Sequence, residues 1–285
     1  MYIAKEENNS HSKTGWERKN RVHFDSIVTT YDKIRWDYPD ETFSDIFEYC
    51  GSNTTKRAVE IGAGTGKATK PFLDAGYEVT AVELGANMSA FLKDKYKQYK
   101  DFSVITSSFE DASLEDKSYD LIYSASAFHW VDASIGCPKA MSLLRDNGVF
   151  ALFRNNASQP KDELYNEVQL AYNKHYYSHY TNSKRPIDLS EMTVDDFLQP
   201  LEVQRGFRFD NLEQYGFRDV VMKLYKTSRT YTAEEYIQLL DTYSDNRALP
   251  DDSRENLYRE IKNAIIKHGG HQKLNFIFQL YMGRK

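Results

Sequence analysis

Two cysteines are all that this 285-residue chain contains, and they do not have the C-x-x-C spacing of metal or redox sites. Cys50 and Cys137 therefore cannot form a disulfide framework, and we expect two small buried thiols. No apolar stretch approaches the roughly 20 residues that cross a membrane, and the first residues lack the apolar run of a secretory signal. These absences lead us to expect a cytoplasmic protein without a membrane partner.

Positive charge is also not in excess. The chain has 37 Lys and Arg against 42 Asp and Glu, and the formal net charge of -5 is spread along its length. This balance disfavours an extended nucleic-acid surface, so we expect no nucleic-acid partner. Aromatic residues, by contrast, are abundant, with 21 Tyr and 16 Phe, and they predict a core rich in rings.

Short apolar segments alternate with helical ones in much of the chain, which predicts an α/β fold with a doubly wound parallel sheet. Five strands are predicted first, at residues 57–62, 78–83, 102–106, 119–124 and 149–154. Helices are predicted between them at 65–75, 87–99 and 138–144. The sheet is predicted to resume at 219–225, with helices at 233–243 and 253–267 and a final strand at 274–282.

The alternation of strands and helices also predicts how the chain is divided into a cap, a core and a lid. Residues 1–52 are predicted to be a polar tail followed by two cap helices, at 24–36 and 40–50. Residues 53–157 and 202–285 are predicted to form the core. Between these two parts, residues 158–201 are predicted to be a helical lid, because Val168, Tyr172 and Tyr176 recur at helical spacing.

Metal chemistry is not expected. The strongest candidate is the pair His175 and His179, whose i, i+4 spacing places them on one face of a helix. Zinc sites with this spacing require a Glu directly after the first His, and this chain has Tyr176 there. We therefore expect an activity that does not depend on a bound metal.

The most informative segment runs an apolar strand, Ala58 to Ile61, into three alternating glycines. Gly62, Gly64 and Gly66 leave bare backbone after the first strand, and Glu83 ends the second strand. This arrangement is typical of a nucleoside site, in which backbone approaches the ligand and an acid binds ribose hydroxyls. The third glycine comes one residue earlier than in the G-x-G-x-x-G loop of dinucleotide enzymes, which disfavours a pyrophosphate ligand.

With Glu60 before it and Glu83 after it, this loop resembles motif I of the class I S-adenosylmethionine-dependent methyltransferases. Three further segments are similar to that family, at residues 31–39, 106–111 and 120–130. The resemblance implies a Rossmann-like sheet of seven strands, the last one antiparallel, with a helical cap from the N-terminus and from an insertion after strand five. It also implies S-adenosylmethionine as the cofactor and S-adenosylhomocysteine as the product.

The resemblance assigns roles around this cofactor. Glu60 is expected near its ammonium group, Glu83 at both ribose hydroxyls and Leu84 against the adenine. Ser108, which stands where many relatives have Asp, is expected to face the exocyclic amine. The full set implied for the cofactor is Tyr31, Arg35, Glu60, Gly62, Ala63, Gly64, Gly66, Glu83, Leu84, Met88, Ser108, Phe109, Glu110, Ser124 and Ala125.

The methyl acceptor is expected to be a small molecule. The cap resembles that of the trans-aconitate methyltransferase relatives, in the methyltransferase type 11 group, which implies a carboxylate acceptor. The expected acceptor contacts are Tyr38, Trp130, Arg154 and Tyr172, and His129 is either a general base or a packing residue at the pocket mouth. Two alternatives stay open: a protein or RNA methyltransferase, and a cofactor-binding protein without catalysis.

Overall fold

The computed structural model describes residues 23–51, 56–180, 193–194 and 210–285. Their strands are β1 (Arg57–Ile61), β2 (Glu78–Glu83), β3 (Phe102–Thr106), β4 (Tyr119–Ala125), β5 (Leu144–Ser158), β6 (Arg218–Thr232) and β7 (His271–Arg284). In these described ranges the seven strands form one mixed sheet in the order β3-β2-β1-β4-β5-β7-β6, with the last strand antiparallel. The predicted α/β class and the seven-stranded sheet are confirmed.

Helices separate most of these strands. They are α1 (Val28–Ile34), α2 (Asp40–Cys50), α3 (Thr69–Asp74), α4 (Ala86–Lys95), α5 (Ala133–Leu143), α6 (Glu163–His175), α7 (Ala233–Leu240), α8 (Ser244–Arg247) and α9 (Asp251–Lys267). Side-chain caps begin several of them, as at α7, where Thr232 and Glu235 form a capping box. Within the described part of the chain, no helix is long and apolar enough to cross a membrane.

Three predicted helix starts are wrong. Helix α1 begins at Val28 rather than at residue 24, because residues 23–26 form a 3-10 turn instead. The other two differ for local reasons. Helix α3 begins at Thr69 rather than at residue 65, because Gly66 has a φ of +79°, outside the helical region. Helix α5 begins at Ala133 rather than at Pro138, because the Asp132 side chain accepts a hydrogen bond from the Ser134 N–H and caps the helix earlier. Strands β5 and β6 are also longer than predicted, with 15 residues each.

Parallel pairing brings several strand ends to one edge of the sheet. Strand β1 pairs in parallel with both β2 and β4. In the register of β2 and β3, Glu83 is opposite Thr106, and in that of β4 and β5, Ala125 is opposite Phe153. The loops that follow these strands therefore collect at the carboxyl ends, where open α/β sheets bind ligands.

The chain divides into two compact units, and the division falls within β5, β6 and β7. Among the described residues, unit one contains 23–36, 157–180 and 226–276, and unit two contains the rest. Helix α6, the described part of the predicted lid, therefore belongs to the same unit as α1 and α7 to α9. Residues 181–192 and 195–201 of that predicted lid lie outside the described residues.

Unit two has a core on each face of its strands. Alternate residues of β4 enter different clusters, because successive side chains of a strand point to opposite faces: Tyr123 belongs to one and Ile122 to the other. In the first cluster the Phe72 ring of α3 stacks on the Tyr123 ring, with centroids 4.0 Å apart. Rings fill much of both clusters, as the composition predicts.

Unit one joins α6 to α9 by two reciprocal sets of charged side chains. Glu260 of α9 lies 2.9 Å from His175 Nε2, and Glu167 of α6 lies 3.1 Å from His268 Nε2. Each glutamate is also paired with the lysine that precedes that histidine. Because each helix supplies one glutamate and one histidine, these contacts fix both the orientation and the register of the two helices.

Candidate functional site

Residues 62–66 turn the chain at the carboxyl end of β1. The φ angles of the three glycines are positive, +67° at Gly62, +58° at Gly64 and +79° at Gly66. A Cβ at Gly62 would lie 2.4 Å from the Cβ of Ala127, so this glycine lets the loop after β1 pack against the loop after β4. A Cβ at Gly64 would meet no atom within 4 Å. The backbone of Gly64 therefore borders space that a ligand could enter.

Side chains at the end of α4 hold the carbonyl groups of this loop. Lys95 Nζ donates a hydrogen bond to the Thr65 carbonyl at 2.9 Å, and the Tyr96 hydroxyl donates to the Gly66 carbonyl at 2.7 Å. Sequence reasoning missed Lys95 and Tyr96. Both lie 30 residues beyond the loop that they hold, so no local pattern connects them to it.

Glu83 links the ends of β1 and β2. Its Oε2 accepts a hydrogen bond from the Gly64 N–H and its Oε1 accepts one from the Gly85 N–H, both at 2.8 Å. A carboxylate offers about four acceptor positions, so each oxygen can accept another donor. The glutamate is thus held by backbone and can still receive two hydroxyl groups from a ligand.

Glu60 lies beneath the loop rather than on its surface, and it is 1% exposed. Its Oε2 accepts hydrogen bonds from Thr69 Oγ1 at 2.5 Å and from the Tyr123 hydroxyl at 3.1 Å. Burial, with a smaller contribution from Glu83, raises the pKa of Glu60 to about 8. The carboxyl group is therefore mostly protonated at neutral pH, and a cation placed above it would favour its ionised form.

The turn after β3 is held by its own hydrogen bonds. Ser108 Oγ donates to Asp111 Oδ2 at 2.6 Å and accepts from the Asp111 N–H at 3.2 Å. Phe109 is buried in one of the core clusters, and Glu110 accepts a hydrogen bond from the Asp132 N–H at 3.4 Å. The Ser108 proton is thus directed to Asp111, which sequence reasoning did not select.

The turn after β2 and the start of α4 carry two apolar members of the predicted cofactor set, of which Leu84 is the one expected against the adenine. Leu84 is half-buried and Met88, on the first turn of α4, is buried. Within the glycine loop, Ala63 is also buried. These side chains give an apolar border to the space beside Glu83.

The loop after β4 contains a strained residue. Ser126 has a φ of +56°, in the left-handed region that residues other than glycine seldom adopt. Its hydroxyl accepts a hydrogen bond from the Tyr38 hydroxyl at 2.8 Å. Just before it, Ser124 Oγ donates to the Ile61 carbonyl at 2.9 Å, and Ala125 is half-buried. Tyr38 and the ends of β1 and β4 are therefore brought together within unit two.

His129 and Trp130 form a short 3-10 turn with Phe128, and their rings lie 4.8 Å apart. Burial, with a smaller contribution from the positive charge of Arg154, lowers the pKa of His129 to about 3. Burial also lowers the pKa of Arg154 to about 10, which leaves the guanidinium charged at neutral pH. The structure therefore places the neutral imidazole of His129 beside the indole of Trp130 and within electrostatic reach of Arg154, two of the predicted acceptor contacts.

The remaining predicted residues, Tyr31, Arg35 and Tyr172, belong to unit one. The guanidinium of Arg35 lies 5.0 Å from the Tyr31 ring and 4.5 Å from the Tyr243 ring, and its Nη2 donates to the Thr242 carbonyl at 2.7 Å. Its described contacts are therefore with aromatic rings and a backbone carbonyl of the same unit. The Tyr172 ring contacts those of Tyr176 and Tyr177.

The described histidines of α6 and the turn after it have separate partners. His175 faces Glu260, and His179 Nε2 lies 2.9 Å from Ser253 Oγ. Across the ranges that the structure describes, no group of three or more His, Cys, Asp or Glu side chains is arranged to hold a metal ion.

Comparison with known proteins gives consistent results for the sequence. Residues 59–152 match a family model described as a methyltransferase domain. An uncharacterized methyltransferase of Schizosaccharomyces pombe is 24% identical over 250 residues, which cover 85% of this chain and 86% of that protein. An uncharacterized methyltransferase of Mycobacterium tuberculosis is 29% identical over 142 residues, which cover 50% of this chain and 56% of that protein.

Solved structures share the fold. One described as a type II methyltransferase from Anaeromyxobacter dehalogenans has a TM-score of 0.58 at 18% identity, covering 88% of this chain and 97% of that one. A phosphoethanolamine N-methyltransferase of Haemonchus contortus, in complex with S-adenosylhomocysteine, has a TM-score of 0.52 at 13% identity. This chain covers only 60% of the Haemonchus protein.

Gly62 and Gly64 differ in what an added methyl group would meet, and this predicts that alanine substitutions there lower the stability by different amounts. Gly62→Ala is expected to lower the free energy of unfolding by about 3 kcal/mol or more, because the new Cβ overlaps Ala127 and the positive φ is strained. Gly64→Ala is expected to lower it by only about 1 kcal/mol, for the strained φ alone. Urea unfolding followed by circular dichroism measures both, and equal losses would contradict this assignment.

Proposed function

We propose that this chain, which belongs to the class I S-adenosylmethionine-dependent methyltransferases, methylates a small molecule. The proposed site lies at the carboxyl ends of β1, β2 and β4. The observation that carries the proposal is the carboxylate of Glu83. It is held by two backbone N–H groups, one of them from Gly64, whose backbone borders open space. A ribose with two adjacent hydroxyl groups is complementary to that carboxylate.

The residues present fit the rest of this cofactor. Gly64 leaves room beside the loop for the methionyl and ribose parts, which a larger side chain would occupy. Glu60 lies directly beneath the loop and supplies negative charge toward an ammonium group above it. When bound, S-adenosylmethionine supplies an electrophilic methyl group on a sulfonium ion.

At the adenine end we assign the exocyclic amine to Asp111 together with Ser108. The Ser108 hydroxyl already donates to one Asp111 oxygen, so the acceptor that remains for an amine is the Asp111 carboxylate. Leu84 and Met88 supply the apolar border against which a purine ring can pack. Ser108 and Asp111 together take the place of the single Asp that many relatives have at position 108.

At the acceptor end the charges favour an anionic molecule, and we assign it as a carboxylate. Arg154 supplies the positive charge, and Tyr38 and Trp130 supply aromatic walls. His129, with its pKa of about 3, is a weak proton acceptor, so we assign it to hydrogen bonding and not to general base catalysis. Methyl transfer to a carboxylate oxygen removes no proton, and placement of the two reactants can supply most of the acceleration.

The proposal predicts a measurable product. The purified chain, given S-adenosylmethionine and a panel of small carboxylic acids, should form S-adenosylhomocysteine and a methyl ester with at least one of them. Mass spectrometry detects both products. If the cofactor binds but no small molecule accepts a methyl group, while a protein or RNA does, the assignment of a small acceptor is wrong.

Glu83→Ala tests the ribose assignment. Loss of hydrogen bonds to a charged group should cost about 1.5–3 kcal/mol, a roughly 10-fold to 150-fold loss of affinity for S-adenosylhomocysteine by titration calorimetry. The matched control is Glu78→Ala, which removes an exposed glutamate of the same strand whose partner is Arg57 at 3.3 Å. The control should bind as the unchanged protein does, and equal affinities in both variants would remove Glu83 from the site.

Glu60 predicts that cofactor binding releases a proton. Its pKa of about 8 means that it is mostly protonated in the free protein at pH 7, and a bound ammonium group lowers that pKa. Affinity should therefore rise with pH between about 6 and 7, where the cofactor's own amine stays charged. Calorimetry in two buffers of different ionisation enthalpy measures the released proton. Glu60→Gln should abolish the release, and a release that persists in this variant would place its source elsewhere.

A further inference from the structure

Gln279 is a wholly buried amide on β7, with an exposed fraction of 0%. Neither its Nε2 nor its Oε1 makes a hydrogen bond within the described residues. Polar groups buried in this way are rare in folded proteins, because each loses its hydrogen bonds to water without replacement. An apolar side chain of similar size would avoid that cost. The position of Gln279 in the sheet indicates what its amide is for.

The strand register places Gln279 opposite Arg154. Strand β7 lies beside β5, and the Lys285 N–H donates to the Gly148 carbonyl at 2.9 Å. In an antiparallel pair, a step back along one strand corresponds to a step forward along the other. Six such steps lead from Lys285 to Gln279 and from Gly148 to Arg154, and side chains of opposed residues share a face.

The core clusters agree with this register. Counting from the same hydrogen bond, Tyr281 falls opposite Leu152, and these two residues belong to one cluster. Leu280 falls opposite Phe153, and this pair belongs to the cluster on the other face. Gln279 therefore shares a face of the sheet with Tyr281, whose phenol also interacts electrostatically with Arg154.

Most of the polar side-chain groups around Arg154 and Gln279 are hydrogen-bond donors. Arg154 Nη2 donates to Asn156 Oδ1 at 2.7 Å, which turns the Asn156 amide toward the guanidinium. The Asn156 Nδ2, like both amide atoms of Gln279, has no partner in the described part of the chain. The register thus places three donor-bearing side chains, Arg154, Asn156 and Gln279, on one face of the sheet near the carboxyl end of β5. The amide oxygen among them that has no donor in the described residues is Oε1 of Gln279.

We infer that Gln279 determines acceptor specificity and selects carboxylates that carry a hydroxyl group next to the carboxyl group. The inference rests on the proposed methyl transfer to a carboxylate and deepens it. In this arrangement Arg154 and Asn156 Nδ2 donate to the carboxylate oxygens. The hydroxyl group donates to Gln279 Oε1, and Gln279 Nε2 donates to an acceptor oxygen. The three amide atoms of Asn156 and Gln279 that lack partners among the described residues are then satisfied.

The test compares pairs of acids that differ only in one hydroxyl group, such as lactate with propionate and malate with succinate. Binding of each acid to the protein saturated with S-adenosylhomocysteine is measured by calorimetry, and kcat/KM is measured by product formation. The unchanged protein should prefer the hydroxylated acid of a pair. Gln279→Leu should reduce that preference about 10-fold or more, because a leucine side chain cannot accept a hydrogen bond from the hydroxyl group.

Gln272→Leu is the matched control. Gln272 is a buried glutamine of the same strand, in unit one, and its Oε1 also lacks a partner among the described residues. This variant should leave the preference between paired acids unchanged. Because Gln279→Leu removes an unsatisfied amide, it should also unfold at the same temperature as the unchanged protein or higher, which a purely structural glutamine would not allow.

The outcomes separate the inference from the proposed function. An unchanged preference in Gln279→Leu, no preference in the unchanged protein, or an equal loss in Gln272→Leu would overturn the role of Gln279. If the hydroxy acids bind preferentially, and Gln279→Leu abolishes that preference, the role of Gln279 stands. If the hydroxy acids bind preferentially but form no methyl ester, the proposed methyl transfer to a carboxylate is wrong while the role of Gln279 in binding is retained.

Discussion

The candidate site depends on one carboxylate that joins two loops. The Glu83 oxygens accept the N–H groups of Gly64, after β1, and of Gly85, after β2. Both donors are backbone groups, so the position of the carboxylate follows from the parallel register of the strands and needs no flexible partner. A loop with three glycines loses much conformational entropy when it is ordered, and the bonds from Glu83, Lys95 and Tyr96 offset that loss. The carboxylate that we propose as the acceptor for the ribose is therefore in place before a ligand arrives, which lowers the entropic cost of binding.

Burial sets the charge of this region. It is the largest cause of the pKa shifts at Glu60, His129 and Arg154, and in each case it favours the neutral form. At neutral pH Glu60 is mostly protonated and His129 is neutral, while Arg154 keeps its charge because its pKa of about 10 is still high. The nucleoside end thus has acidic groups near the glycine loop, and the end of β5 has a cation. This polarity suits the cationic methyl donor and the carboxylate acceptor that we propose, and transfer between those two needs no strong base.

The sequence predicts the features that are local. Strands β1 to β4, the glycine loop and Glu83 follow from apolar runs, glycine spacing and the acid at a strand end, and the structure has these elements where they were expected. The start of α5 was missed because the Asp132 cap is a weaker signal than Pro138. The residues that hold the loop, Lys95 and Tyr96, were missed for a different reason: their role exists only once α4 packs beside a loop distant in sequence. The contact of Arg35 with Tyr243 could not be predicted from its neighbours in sequence for the same reason, because it too is long-range.

Two kinds of costly residue occur at the carboxyl edge of this sheet, and they have different origins. Gly62 is costly in entropy but structurally necessary, since any side chain there would overlap Ala127. Gln279 is costly because its amide has no hydrogen-bond partner among the described residues. It also interrupts an apolar stretch of β7, since the residues from Phe276 to Met282 are all apolar or aromatic except this one. A strand chosen only for stability would carry a leucine at that position. Its amide lies opposite Arg154, whose guanidinium stays charged at neutral pH. Because no described residue supplies a hydrogen-bond partner for this amide, we attribute the loss of stability to the recognition of a polar ligand.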